Sequence, residues 1–162
     1  MLTHEKLKSI LSYDPLTGEF RWLIKYSKKV IVGTVAGGLN VKGYVVIGID
    51  GQTYYGHRLA WFYMTGEWID QIDHEDNVKA NNRWANLRPA NHQQNVLNAK
   101  KASNNTSGFK GVSWHKKAKK WSAYIILNGK KRHLGLHEKA EDAHQAYMRA
   151  AIAAQPEFAR SE

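Results

Sequence analysis

Apolar and polar positions change their spacing several times along the chain, and each change marks an element. Leu7, Ile10 and Leu11 recur at helical spacing behind Thr3, so the pattern predicts a short amphipathic helix over 3–11 with Thr3 as its N-cap. Tyr13-Asp14-Pro15-Leu16-Thr17-Gly18 then reads as a turn. Aromatic and β-branched residues over 19–24 and 44–49 predict strands, and Asp50-Gly51 is a hairpin signal leading to Thr53-Tyr54-Tyr55. The N-terminal third is therefore expected to be a small sheet. From His57 to Met64 the alternation gives way to crowded apolar residues, which fits a short buried helix stopped by Gly66.

Further on, Leu87-Arg88-Pro89 reads as a brief extended stretch before a helix over 91–101, a run without Gly or Pro. Ser103-Asn104-Asn105-Thr106-Ser107-Gly108 reads as a linker. Beyond it, 111–114, 121–127 and 132–136 predict three short strands, with Asn128-Gly129 turning between the last two. A helix over about 139–153 follows, its Ala140, Ala143, Ala146, Tyr147, Ala150 and Ala151 lying along one face. The expectation is an α+β chain of two small domains, 1–102 and 103–162.

Composition changes this picture in two ways. The 162 residues include no cysteine, which excludes disulfides and thiolate zinc sites, so a metal must be held by oxygen or imidazole ligands. That favours Mg²⁺ or Mn²⁺. The net charge is +10, and no Asp or Glu occurs between Asp76 and Glu138, where Lys and Arg recur. A one-signed stretch suits a polyanion, although a solvated basic surface would look the same. No segment has the roughly 18 consecutive apolar residues of a membrane helix, and the N-terminus lacks the apolar core of a signal peptide, so an intracellular location without a membrane partner is expected.

Chemistry concentrates in Ile72-Asp73-His74-Glu75-Asp76-Asn77, Asn81-Asn82-Arg83-Trp84-Ala85-Asn86-Leu87-Arg88 and His92-Gln93-Gln94-Asn95. Phosphodiester hydrolysis needs a base to activate water and a cation to neutralise charge on phosphoryl and leaving oxygens. His74 and a cation on Asp73 supply both. Neighbours on a regular strand face opposite ways, so Asp73 and His74 share a site only if the strand ends there. Asn95 can offer a neutral oxygen to a hard cation, and Asn86 can tie the intervening loop together. Each residue also has a plainer reading: Asp73 as a turn cap, Asn86 in an Asx-turn, Asn95 as helix surface, and His57 as a hydrogen-bonded residue before an apolar helix. His92 competes with Asn95 as a ligand. Arg58, Arg83 and Arg88 can clamp phosphates or pair with Asp70, Glu75 or Asp76.

This stretch, together with His57-Arg58-Leu59-Ala60-Trp61, resembles HNH endonucleases of the phage and intron homing type, which have a ββα-metal core. The resemblance implies that Asp73 and Asn95 bind the metal, that His74 is the general base, and that Asn86 is the central structural asparagine. The final His of the family name is Asn95 here.

The segment from Asn104 to about Arg160 resembles an AP2 domain, a three-stranded antiparallel sheet packed on one helix. The residues that carry the likeness are Asn105-Thr106-Ser107-Gly108-Phe109-Lys110-Gly111-Val112, Lys120-Trp121-Ser122-Ala123-Tyr124-Ile125, Gly129-Lys130-Lys131-Arg132-His133-Leu134-Gly135 and the helix from Ala140. The likeness implies a sheet face in the major groove, and strand periodicity then selects Lys110, His115, Tyr124, Lys131 and His133 as outward residues. Lys117, with Lys116, Lys119 and Lys120, is expected on the DNA backbone. Trp114 and Trp121 are expected in the core. The Arg and Trp contacts of plant AP2 domains are largely absent.

The reading is a metal-dependent endonuclease acting on double-stranded DNA, without a small-molecule cofactor, that yields 5′-phosphate and 3′-hydroxyl ends. One centre in a monomer nicks; a homodimer would break both strands. The alternative is a non-catalytic DNA-binding regulator on a spent HNH scaffold.

Overall fold

The computed structural model describes residues 1–160 and is of the α+β class, built from small antiparallel sheets and four helices. Its contacts divide it into two units, Met1–Pro89 and Ala90–Glu162.

In the first unit, helix α1 (His4–Ile10) starts at Thr3, whose hydroxyl accepts from the Lys6 N–H, and it buries Leu7 and Ile10. The chain turns straight into strand β1 (Leu11–Tyr13), which pairs with β2 (Phe20–Trp22). Strands β3 (Gly38–Leu39), β4 (Val45–Ile49) and β5 (Gln52–Tyr55) form a second sheet in that order. Asp50 and Gly51 both adopt positive φ, as a two-residue hairpin of this kind demands. Helix α2 (Gly56–Thr65) ends at Gly66, whose φ of 78° makes a left-handed cap. Leu7, Leu11, Phe20, Ile47, Ile49, Leu59 and Phe62 form the core between these elements. Strands β6 (Ile72–His74) and β7 (Leu87–Pro89) pair as a separate antiparallel ribbon, with a 3-10 turn, Trp84–Asn86, entering β7.

Helix α3 (His92–Asn98) opens the second unit, and it is shorter than the sequence pattern suggests. Asn91 caps it in a reciprocal box with Gln94. Strands β8 (Val112–His115), β9 (Lys120–Leu127) and β10 (Lys130–His137) form a sheet with β9 in the centre. Helix α4 (Ala140–Ala154) packs its small-residue face on that sheet, covering Ala123 and Ile125 with Ala143, Tyr147 and Ala151. A register shift between His133 and Gly135 accompanies the inward placement of Leu134 against both clusters.

The division at Pro89 rather than near Ser103 has a packing cause. Leu97 on α3 is buried with Ile125, Tyr147 and Phe158, and Gln93 accepts from the Asn128 N–H at 2.7 Å. Lys110 reaches from the sheet side to the end of the same helix, donating to the carbonyls of Val96, Leu97 and Ala99.

Candidate active site

Strand β6 ends at His74, the termination that Asp73 and His74 need if they are to serve one site. In the β6–β7 register, Asp73 lies opposite Arg88 and His74 opposite Leu87. Both Nε and Nη2 of Arg88 donate to Asp73 Oδ2, each at 2.9 Å. The pair is largely out of solvent, with side-chain exposures of 19% for Arg88 and 8% for Asp73. Arg88 thus pairs with a carboxylate outside the set Asp70, Glu75 and Asp76 weighed from sequence, because antiparallel pairing brings it directly across from Asp73.

His74 is buried, and its Nε2 lies 3.2 Å from Asn82 Oδ1. Burial pushes its imidazole below the ordinary value, against the raising effects of the Asn82 hydrogen bond, Asp76 and Asp73. The ring is therefore neutral near pH 7, the state a general base requires. His57, at the start of α2, stands edge-on to His74 with centroids 5.0 Å apart, and it also contacts Tyr44 and Tyr55. Its expected hydrogen bond is not found: Nδ1 is buried without a partner among the described residues. Burial, with His74 and Arg58 nearby, drives the His57 imidazole down to about 3. It acts as an aromatic neighbour, not as a cation.

The loop from His74 to Leu87 is organised around Asp76 and Asn86. Asn86 Oδ1 accepts from the Asp76 N–H at 3.0 Å, while Asn86 Nδ2 donates to Asp76 Oδ1 at 3.0 Å and to the Asn81 carbonyl at 2.8 Å. Asn81 Nδ2 and the Val78 N–H also donate to the Asp76 carboxylate. Burial would raise the Asp76 carboxyl, but hydrogen bonds from Asn81, Val78 and Asn86 outweigh it and hold it below the usual range. Asn77 turns the chain at φ 59°, a conformation that asparagine tolerates. Asn86 occupies the loop-tying position read from sequence.

Asn82 and Asp76 were not singled out by that reading. Asn82 is 2% exposed and is seated by backbone contacts: its carbonyl accepts from Tyr13 Oη at 2.6 Å. A methyl group at Gly18 would stand 2.4 Å from the Asn82 carbonyl carbon, and one at Gly56 would stand 2.6 Å from Asn82 Nδ2. The sequence signal was the Asn81-Asn82-Arg83 run itself; its partners come from distant elements.

Other candidates are placed as follows. Arg58 Nη2 donates to the Ile69 carbonyl at 3.4 Å and its guanidinium lies over Trp68, whereas Arg83 is exposed. Asn95 is half-buried on α3 in the second unit, and His92 is exposed in the first turn of that helix.

In the second unit, His115, Tyr124, Lys131 and His133 share the sheet face opposite α4, as pairing of His133 with Tyr124 and Lys131 with Ile126 requires. The Lys131 ammonium sits 3.9 Å from the Tyr124 ring centroid. Lys117 is exposed beyond β8. Lys110 departs from expectation. It precedes β8, so strand alternation does not govern it, and its ammonium caps the end of α3 instead of facing outward. Burial, with Arg160 nearby, lowers it to about 8. Trp114 also departs: it is 45% exposed at the sheet margin, edge-on to Trp121, which packs on the Val112–Ala123 cluster.

Among the described residues no helix is long and apolar enough to cross a membrane. A solved structure described as "DNA binding and cleavage by the HNH homing endonuclease I-HmuI" aligns at a TM-score of 0.40 and 20% identity, over 90% of this chain and 77% of that one. Protein 3.8 of Escherichia phage T7 is 41% identical over 59 residues, which make up 36% of this chain. The chain spans about half that relative's length, 49%. The segment that holds Asp73, His74, Asn82, Asn86, Arg88 and Asn95, residues 54–97, is similar to the HNH endonuclease family, whose model it matches.

Proposed function

We propose that the chain is a metal-dependent HNH endonuclease of the homing type that hydrolyses DNA phosphodiesters, with His74 as general base. The observation that carries this is a buried His74 at the end of β6, beside Asp73 and within the segment matching the HNH endonuclease model.

The donor chemistry fits a hard divalent cation. Asp73 supplies a carboxylate, and the family resemblance adds the carboxamide oxygen of Asn95, donors of the kind Mg²⁺ or Mn²⁺ accepts while keeping several waters. A cation held at Asp73 would stabilise charge building on the phosphoryl and departing 3′ oxygens. Arg88 orients the Asp73 carboxylate through Oδ2. His74 takes a proton from water as the water oxygen bonds to phosphorus and the P–O3′ bond breaks, and the departing 3′ oxygen takes a proton from solvent, leaving 5′-phosphate and 3′-hydroxyl ends. Asn86 keeps the intervening loop folded under the site.

The second unit is the DNA-holding part in this reading, an AP2-like module. A three-stranded sheet on one helix, with His115, Tyr124, Lys131 and His133 on its open face and Lys117 at its margin, supports that role. Lys110 is left out of the contact set because its ammonium caps α3. Arg58 and Arg83 contact phosphates on the nuclease side. As a monomer with one centre, the protein nicks.

The test is supercoiled plasmid incubated with Mg²⁺, with EDTA, and with a His74→Ala variant. Conversion to open circle that needs metal, and is lost in a variant that still binds DNA, is the expected result. Binding without cutting under any divalent cation would overturn the nuclease in favour of a DNA-binding regulator, and direct linear product would overturn nicking.

A further inference from the structure

We propose that Ile126 and Leu136 give the second unit a preference for thymine, by contact with its methyl group in the major groove. This rests on the reading of the second unit as the DNA-holding part.

The sheet register puts both residues on the face away from α4. Ile126 follows Tyr124 by one alternation and lies opposite Lys131, while Leu136 lies opposite Ser122, which precedes Tyr124 by one. Both aliphatic side chains are uncovered, Ile126 at 45% exposure and Leu136 at 41%. Their rows are about 13 Å apart along β9, so they are two separate contact points and not one patch. The strand preference for β-branched residues accounts for isoleucine at 126. It does not account for leucine at 136, whose partner Ser122 is too small to shelter it.

Base identity in the major groove is read by forked donors on guanine, carboxamides on adenine, carboxylates on cytosine, and apolar contact with the thymine methyl group. Among the described residues, these three strands place no Arg, Asn, Gln, Asp or Glu on the open face; besides Tyr124, its polar residues are Ser113, His115, Lys120, Ser122, Lys131 and His133. The two lysines are engaged, Lys120 with Glu138 at 2.8 Å and Lys131 over the Tyr124 ring. His115 Nδ1 accepts from the Ala118 N–H at 3.1 Å, which leaves one ring nitrogen to meet DNA. Apolar contact is therefore the most discriminating chemistry that the face offers. Three strands span about 10 Å, which the major groove of about 12 Å admits and the minor groove of about 6 Å does not. The thymine methyl group is displayed in the major groove alone.

The experiment is fluorescence anisotropy of the full chain in EDTA, so that nothing is cut, with a duplex of alternating dA and dT and one of alternating dA and dU. The two differ by the methyl group. Wild type is expected to bind the dT duplex more tightly, by about fourfold for each methyl group contacted. A double variant, Ile126→Ser with Leu136→Ser, should bind the two duplexes alike. Equal affinities in wild type overturn the proposal and need no variant, so a failure of the double variant to fold does not shield it. A dT preference that survives in a double variant melting as wild type does also overturns it. Lys131→Ala, measured alongside, separates the two levels. If it weakens binding while wild type ignores the methyl group, the methyl contact alone fails. If neither it nor the double variant changes any affinity, the reading of the second unit as DNA-holding fails as well.

Discussion

Arg88 grips a single oxygen of Asp73 with two of its nitrogens, across adjacent strands and largely out of water. A buried carboxylate deprived of its cationic partner is costly, by about 3 kcal/mol. Arg88→Met should therefore lower the melting temperature markedly. Added Mg²⁺ should recover more stability in that variant than in wild type, because the metal then supplies the positive charge that Arg88 no longer gives the Asp73 carboxylate. Equal Mg²⁺ shifts in both chains would count against Asp73 as a ligand.

His74 titrates below the ordinary imidazole range because it is buried. The base form is lost only on protonation, so the acid limb of the nicking rate should lie below about pH 6.5, with no loss between there and pH 8. A pH–rate profile at saturating Mg²⁺ measures this. A limb above pH 7 would contradict a desolvated base.

His57 affects stability in a related way. Its imidazole is down at about 3 in the folded chain, against about 6.5 when unfolded. Between these values the unfolded chain binds a proton that the folded chain does not, so stability must fall as pH drops through this window. The slope from this group is at most about 1.4 kcal/mol per pH unit. Urea midpoints at pH 7 and pH 4.5 should differ less in His57→Phe than in wild type.

Asn86 makes three hydrogen bonds that keep the loop on Asp76 and Asn81. Asn86→Ala should cost about 2 to 3 kcal/mol. Asn86→Asp should be no better, since it sets a carboxylate against Asp76. Thermal melts of the two variants decide this.

Two lysines of the second unit should separate cleanly. Lys131→Ala should weaken DNA binding and reduce the salt slope by about one. Lys110→Met should leave the slope unchanged and lower stability, because it removes the cap from three carbonyls of α3. Binding isotherms at several salt concentrations, alongside melts, give both readouts.

The elements legible in the sequence were those with local causes. Asp50-Gly51 and Asn128-Gly129 turn where their backbones require positive φ, Gly66 stops α2, and Thr3 starts α1. The Asp73-His74 pair and Asn86 stood out because their residue types are informative in order. Partners supplied by other elements were not legible. Nothing near Asn82 in sequence announces Tyr13, Gly18 or Gly56. Lys110 looked outward by alternation, but the unsatisfied carbonyls at the end of α3 attracted its charge. Helix α3 carries the end of the HNH-like segment yet packs with the C-terminal sheet, an allegiance set by Leu97 and invisible to spacing.

The tight seat around Asn82 also shapes how this chain can change. Gly56 meets the Asn82 side-chain amide, whereas Gly18 meets the Asn82 backbone, which no substitution at 82 removes. A side chain at 56 and a smaller residue at 82 can therefore compensate in part, so their effects will not add. Gly18 stays intolerant whatever residue stands at 82. A library that varies 56 and 82 together explores them as one compound site, with 18 as a fixed point beside it.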